Sequence, residues 1–266
     1  MRTYFQGDTY FTADNNKASV WDYIFLRSRL FFYLRVLKSI YKFNKKYASK
    51  GLYTPKRWEE QSFEILKTCE LCGGRLEIRG LNNIRKAVND PAVFVGNHMG
   101  LLETMILPCI INPIKKVTFV IKQSLTEFPF FGNIMNSTGP IVVGRKNPRE
   151  DLVKVTTEGV NKLNNNISII LFPQSTRMPI FDKKKFNSLG VKLAKKGNAK
   201  VIPFAIKTDF LEQGKLIKDF GKLKREKTVY ITFGKPLSVE GNGKPEHEKT
   251  IKFISENLKK WGAKVV

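Results

Sequence analysis

Cysteine, histidine and acidic residues are all scarce in this chain. Three cysteines among 266 residues are too few for a disulfide framework. Cys69 and Cys72, followed by Gly73 and Gly74, look like half of a zinc ribbon, but a ribbon needs a second pair of ligands. Cys109 stands alone, and neither histidine, His98 or His247, has a ligand spacing to it, so no metal site is expected. The two paired thiols read instead as partly buried groups at a helix end. Long apolar runs are missing as well. No stretch of 18 or more uninterrupted apolar residues occurs, which argues against a conventional spanning helix. No charged start leads into an apolar region and a small-residue cleavage site, so the chain is expected to stay on the cytoplasmic side. Internal repeats, low-complexity tracts and a P-loop are absent.

Basic residues are abundant: 47 Lys and Arg stand against 23 Asp and Glu, a formal charge of +24. Such an excess attracts phosphate, whether on lipid head groups or on nucleic acid, and composition alone does not separate the two.

The segment from Trp21 to Lys46 discriminates better. Ile24, Phe25, Phe31, Phe32, Val36, Ile40 and Phe43 recur at near-helical spacing, with Arg27, Arg29, Arg35, Lys38, Lys42 and Lys45 between them. A basic amphipathic helix of this kind lies in a bilayer interface or packs on its own domain, and both readings stay open. The residues before it, through Asn16, show no clear period.

Strand-like runs follow at Arg75–Arg79, Ala92–Val95, Val117–Ile121, Ile141–Val143, Ile167–Phe172, Val201–Ile206 and Val229–Phe233. Helical patterns lie between several of them, at Asp151–Leu163 and Phe186–Lys196, and a terminal amphipathic helix covers Pro245–Trp261. His247 begins that last helix among charges and reads as a surface residue. The alternation predicts an α/β fold, a mostly parallel central sheet flanked by helices. An N-terminal helical appendage, residues 1–65, precedes an α/β domain at 66–266.

Chemistry concentrates where the run Ala92–Val95 ends, at Asn97-His98-Met99-Gly100-Leu101-Leu102-Glu103. On one helix an i,i+5 pair points about 140° apart. His98 and Glu103 therefore share a site only if His98 sits on a strand-to-helix loop and Glu103 on the first turn beyond it. A carboxylate there holds one imidazole nitrogen and leaves the other free to take a proton.

Asn97-His98-x4-Glu103 resembles the first motif of the glycerolipid acyltransferase family, which includes the 1-acylglycerol-3-phosphate acyltransferases. Further resemblances follow in the family's order. Lys122 precedes Pro129 and Gly132, and Gly139–Arg145 looks like the second motif. Phe172-Pro173-Gln174-Ser175-Thr176-Arg177 is similar to the third, commonly FPEGTR, and Val201-Ile202-Pro203-Phe204 to the fourth. The resemblance spans roughly residues 75 to 240. Glu103 replaces the usual Asp, Gln174 the usual Glu and Ser175 the usual Gly, and Gly144 stands where many members carry an acid.

The resemblance implies an O-acyltransferase. His98 is then a general base that deprotonates a lysolipid hydroxyl for attack on an acyl thioester, and Glu103 fixes its tautomer. Asn97, Lys122, Arg145, Ser175, Thr176 and Arg177 are the implied substrate-binding residues. The arginines suit a phosphate, and backbone N–H groups near Ser175 and Thr176 suit an oxyanion. The implied partners are membrane phospholipid and lysophospholipid, most simply 1-acylglycerol 3-phosphate, with acyl-CoA or acyl carrier protein as co-substrate. No further cofactor and no nucleic acid are expected. Peripheral attachment to the cytoplasmic side of a membrane is expected. A different lysolipid or glycolipid acceptor stays open, as does a non-catalytic basic binding protein on the same fold.

Overall fold

Most of this chain's sheet is parallel because its strands are separated by helices. The computed structural model describes residues 4–174 and 176–266. The strands are β1 (Thr9–Phe11), β2 (Arg75–Arg79), β3 (Ala92–Gly96), β4 (Val117–Lys122), β5 (Ile141–Val143), β6 (Ser168–Leu171), β7 (Lys200–Lys207) and β8 (Thr228–Phe233). The helices are α1 (Val20–Ile24), α2 (Arg29–Lys46), α3 (Pro55–Leu71), α4 (Leu81–Lys86), α5 (Leu102–Ile111), α6 (Phe131–Ser137), α7 (Pro148–Asn164), α8 (Leu189–Lys196) and α9 (Lys244–Lys260).

The strands form one sheet in the order β1-β2-β8-β7-β3-β6-β4-β5. Pairing is parallel except for β1 with β2 and β7 with β8. β3 runs between β6 and β7 with every residue buried, as the all-apolar stretch Ala92-Val93-Phe94-Val95 requires of a central parallel strand. Its side chains alternate between two cores. Phe94 joins Ile170, Ile202 and Phe204 on the face covered by α3 and α5. Val93 and Val95 join Ile169, Leu171 and Val201 beneath α8 and α9. The expected α/β architecture is found, and the seven strand-like runs all appear within a residue or two of their expected bounds.

The N-terminal third departs from expectation. A short strand, β1, extends the sheet antiparallel to β2, within residues that show no period in the sequence. The boundary expected at 65/66 falls inside α3, whose Ser62 Oγ donates to the Met105 carbonyl of α5 at 2.7 Å and accepts from the Cys109 N–H at 2.9 Å. The stretch 21–46 is two helices, not one. Leu26 and Arg27 take left-handed φ of 54° and 51°, and Ser28 then caps α2 by accepting from the Leu30 N–H. Asp22 of α1 is fully buried and accepts from Arg225 Nη2 at 2.8 Å, which anchors the turn.

Smaller corrections follow the same logic. α8 starts at Leu189, because Asn187 Oδ1 accepts from the Leu189 N–H, and the preceding Lys183–Lys185 form a separate 3-10 turn. Cys69 and Cys72 are fully buried, and burial pushes the Cys72 thiol up to about 12. His247 is half-buried and stacked on Phe186, with burial lowering its pKa, so it is no surface residue.

Candidate active site

The loop after β3 is fixed before any functional side chain leaves it. Gly96 ends the strand where an added Cβ would lie 2.4 Å from the Phe204 ring, so only glycine admits β7 this close. Asn97 Oδ1 accepts from the Ile206 N–H at 2.9 Å, and Asn97 Nδ2 donates to the Ile206 carbonyl at 2.8 Å. This side chain is buried and fully committed to β7. It positions the loop, and these bonds to Ile206 occupy the amide that the resemblance assigned to substrate.

His98 and Glu103 sit as the spacing requires, on the loop and on the first turn of α5. His98 Nδ1 lies 2.9 Å from Glu103 Oε1. The same oxygen accepts from the N–H groups of Met99 at 2.7 Å and Gly100 at 2.6 Å, while Oε2 accepts from Thr208 Oγ1 at 2.6 Å. Burial by itself would raise the pKa of Glu103. The hydrogen bond and charge of His98, with the Thr208 hydroxyl and the Gly100 N–H, outweigh it and hold the carboxyl below its usual range. Its place at the start of α5 adds the favourable end of the helix dipole. The extra methylene of Glu over Asp is accommodated without loss of any of these bonds.

The imidazole is clamped from the other side too. Its ring stacks on Phe172 with centroids 4.3 Å apart. The His98 backbone N–H donates to Gln174 Oε1 at 3.3 Å, and the His98 backbone carbonyl accepts from the Met178 N–H at 2.8 Å. Nε2 has no hydrogen-bond partner among the described residues, which leaves it available for a proton.

The remaining expected residues divide. Arg177 follows β6, as His98 follows the neighbouring β3, and its guanidinium is paired with Asp219. Arg145 adopts a left-handed φ of 59°, its backbone N–H donates to Asp151 Oδ2 at 2.8 Å, and its side chain is exposed beyond β5. Lys122 is exposed at the end of β4. The carboxyl ends of β3, β4, β5 and β6 thus carry His98, Lys122, Arg145 and Arg177 in turn, where ligands of parallel α/β sheets bind. The Thr176 N–H donates to the Gln174 carbonyl at 2.7 Å, so the expected oxyanion donor at that position is already engaged. Ser175 lies outside the described residues.

Four contributors escaped the sequence reading. Thr208 stands directly after β7, at the same sheet edge, and that position was the available signal. Gln174 was visible only as a departure from a motif. Asp219, and Gln213, whose Nε2 donates to the Met99 carbonyl at 2.9 Å, come from a segment with no local mark of function.

An α/β sheet whose carboxyl edge holds a partly exposed histidine, braced by a buried carboxylate, and several cations has the groups of a transferase or hydrolase. A family profile described as Acyltransferase matches residues 75–207, half of the chain and all of this machinery except Thr208, Gln213 and Asp219, so the chain belongs to the acyltransferase family and is an O-acyltransferase. It is 28% identical over 199 residues to the 1-acyl-sn-glycerol-3-phosphate acyltransferase of Pseudomonas aeruginosa, covering 75% of this chain and 72% of that protein. A second protein of that name, from Helicobacter pylori, is 29% identical over 85 residues, 32% of this chain and 35% of its own length. In three dimensions the chain is similar to the 1-acyl-sn-glycerophosphate acyltransferase of Thermotoga maritima. The TM-score is 0.67 at 19% identity, over 91% of this chain and 96% of that one.

Proposed function

We propose that the chain acylates the free hydroxyl of 1-acylglycerol 3-phosphate to give phosphatidic acid, with acyl-CoA or acyl carrier protein as the thioester donor. His98 Nε2 takes the hydroxyl proton as the oxygen attacks the thioester carbon. Glu103 keeps the ring in the tautomer with hydrogen on Nδ1 and stabilises the imidazolium that forms. The tetrahedral intermediate collapses with cleavage of the C–S bond, and the imidazolium returns its proton to the departing thiolate. The acceptor hydroxyl attacks directly, so no enzyme nucleophile and no cofactor beyond the thioester take part.

The observation that carries this reading is the pairing of a braced Nδ1 with an open Nε2 in the stretch matched by the family profile. Base assistance of this kind contributes about 10²–10⁴-fold. Arg177, Arg145 and Lys122 supply the charge for the acceptor's phosphate, Arg177 by exchanging its carboxylate partner for a phosphate oxygen.

The acceptor's place in a bilayer is supported by α2. At about 100° per residue its outline divides into three arcs. Phe32, Val36 and Phe43 form one arc buried against the domain, and Phe31 is buried as well although it falls within the basic arc. Arg35, Lys38, Lys42 and Lys45 form a basic arc. Between them Leu30, Leu34, Leu37 and Tyr41 are each half or more exposed, within a stripe about 60° wide. No helix among the described residues is long and apolar enough to cross a membrane. Peripheral attachment through this stripe is the form of membrane contact the helix supports.

The test is product identification. Purified protein on lipid vesicles, given an acyl thioester, is expected to form phosphatidic acid from 1-acylglycerol 3-phosphate and little product from monoacylglycerol, which lacks the phosphate. Equal use of both acceptors would overturn the phosphate assignment. Preference for another lysolipid would keep the chemistry and change the substrate.

A further inference from the structure

Between β7 and β8 the chain makes an excursion whose tip is built outward. The Glu212 N–H donates to the Lys222 carbonyl at 3.0 Å, the Gly214 N–H to the Lys218 carbonyl at 3.0 Å and the Phe220 N–H to the Ile217 carbonyl at 2.9 Å. Glycine is required at both sides of this turn. An added Cβ on Gly214 would lie 2.1 Å from the Ile217 carbonyl oxygen, and one on Gly221 would lie 1.7 Å from that of Glu212. The turn so closed holds Leu216 at 100% exposure and Ile217 at 67%. A fixed turn that presents two adjacent aliphatic side chains to water has no packing reason to do so.

Its surroundings specify what covers it. Lys215 and Lys218 flank the two apolar residues, and Lys222 and Lys224 lie on the returning limb. The acids nearby are already paired, Asp219 with Arg177 and Glu212 with Lys224 at 3.7 Å. The base of the excursion is tied to α2. Phe220 stacks on Tyr33 with centroids 4.1 Å apart, the Phe220 carbonyl accepts from Arg29 Nη1 at 2.8 Å, and the Gly221 carbonyl accepts from the Tyr33 hydroxyl at 3.2 Å. It is also tied to the site, through Asp219 to Arg177 and Gln213 to the Met99 carbonyl.

We infer that the tip Lys215-Leu216-Ile217-Lys218 is a lipid-contacting element that inserts its two aliphatic side chains into an anionic bilayer surface beside α2. Lysines over the head groups and aliphatics below them are the arrangement such a surface selects. The inference rests on the interfacial reading of α2 and adds a second contact, on the opposite side of the reaction centre in sequence. The bonds at its base place the Arg177 side of the site next to the membrane from which the acceptor enters.

Full-length protein carrying Leu216→Cys, labelled with an environment-sensitive fluorophore, tests this directly. The three native cysteines are buried and leave the label at the tip. A parallel Leu37→Cys protein carries the label on the α2 stripe. On vesicles of phosphatidylglycerol and phosphatidylcholine both labels are expected to shift to the blue, and Leu216→Asp with Ile217→Asp to lower vesicle partitioning by about tenfold. The same double variant keeps its activity on detergent-dispersed acceptor. A shift at residue 37 with none at 216 overturns the tip and leaves α2 standing. No shift at either position, with no protein sedimenting with vesicles, overturns both.

Discussion

The loop from Asn97 to Glu103 and the outward face of α2 treat their polar and apolar groups in opposite ways. In the loop nearly every polar atom is spent. Asn97 is closed on Ile206, and Glu103 accepts from two backbone N–H groups and a hydroxyl besides bracing His98, so that one nitrogen, Nε2, is left without a partner among the described residues. On α2 the apolar stripe is unspent, although the cations beside it are partly engaged, Arg35 with Thr68 and Lys42 with Glu64. Four apolar side chains stand in water beside a row of cations. Chemistry depends on one group held in one place, so the loop over-determines it. A fluid surface offers no fixed partners, so a face meant for it is left without any.

Glu103→Gln strikes the first region hardest. It is expected to lower kcat by about 10²–10⁴-fold, because the imidazolium loses its counter-charge. Since the folded carboxyl titrates below its ordinary value of about 4.3, its contribution to stability is present above that pH and fades as pH falls through the folded pKa. Acid unfolding curves of Glu103→Gln should therefore be flatter over that interval than those of the parent.

Asn97→Leu separates scaffold from ligand. Leaving the Ile206 N–H and carbonyl unpaired costs about 1–3 kcal/mol for each buried group, read by denaturant melts, while KM for the acceptor stays unchanged. A raised KM with unaltered stability would make Asn97 a substrate contact after all.

Leu34→Ser with Leu37→Ser addresses the other region. Vesicle partitioning is expected to fall about tenfold with kcat preserved on detergent-dispersed acceptor. Loss of folding instead would assign that stripe to the core. Asp219→Asn has the smallest effect. An exposed ion pair is worth up to about 1 kcal/mol, so releasing Arg177 should lower KM for a phosphorylated acceptor by no more than about fivefold and leave kcat alone.

The two regions were unequally legible in the sequence. The His98–Glu103 pair lies within seven consecutive residues after an apolar strand, so chain geometry alone restricts how they meet. Its brace from Thr208 was hidden, because it arrives from a strand more than a hundred residues away. The parallel strands announced themselves as apolar runs, whereas the three-residue β1 was too short to show a period. On α2 the periodicity was read correctly, yet the apolar residues it gathered turned out to be chiefly the packed arc. The exposed stripe 30-34-37-41 has the same spacing, and spacing does not say which of two apolar arcs finds a partner in the fold. The break at Leu26 and Arg27 was invisible for a related reason, since the buried Asp22–Arg225 pair that sets it is tertiary.

The central claim is that His98 is the base for acyl transfer to the lipid hydroxyl. Acceptor-dependent release of free thiol from a long-chain acyl thioester, measured for the parent chain and for His98→Ala on the same vesicles, tests it most directly. The predicted result is a loss of about 10²–10⁴-fold in that release, with fold and vesicle binding retained. Release by His98→Ala at the parent's rate would contradict the claim outright.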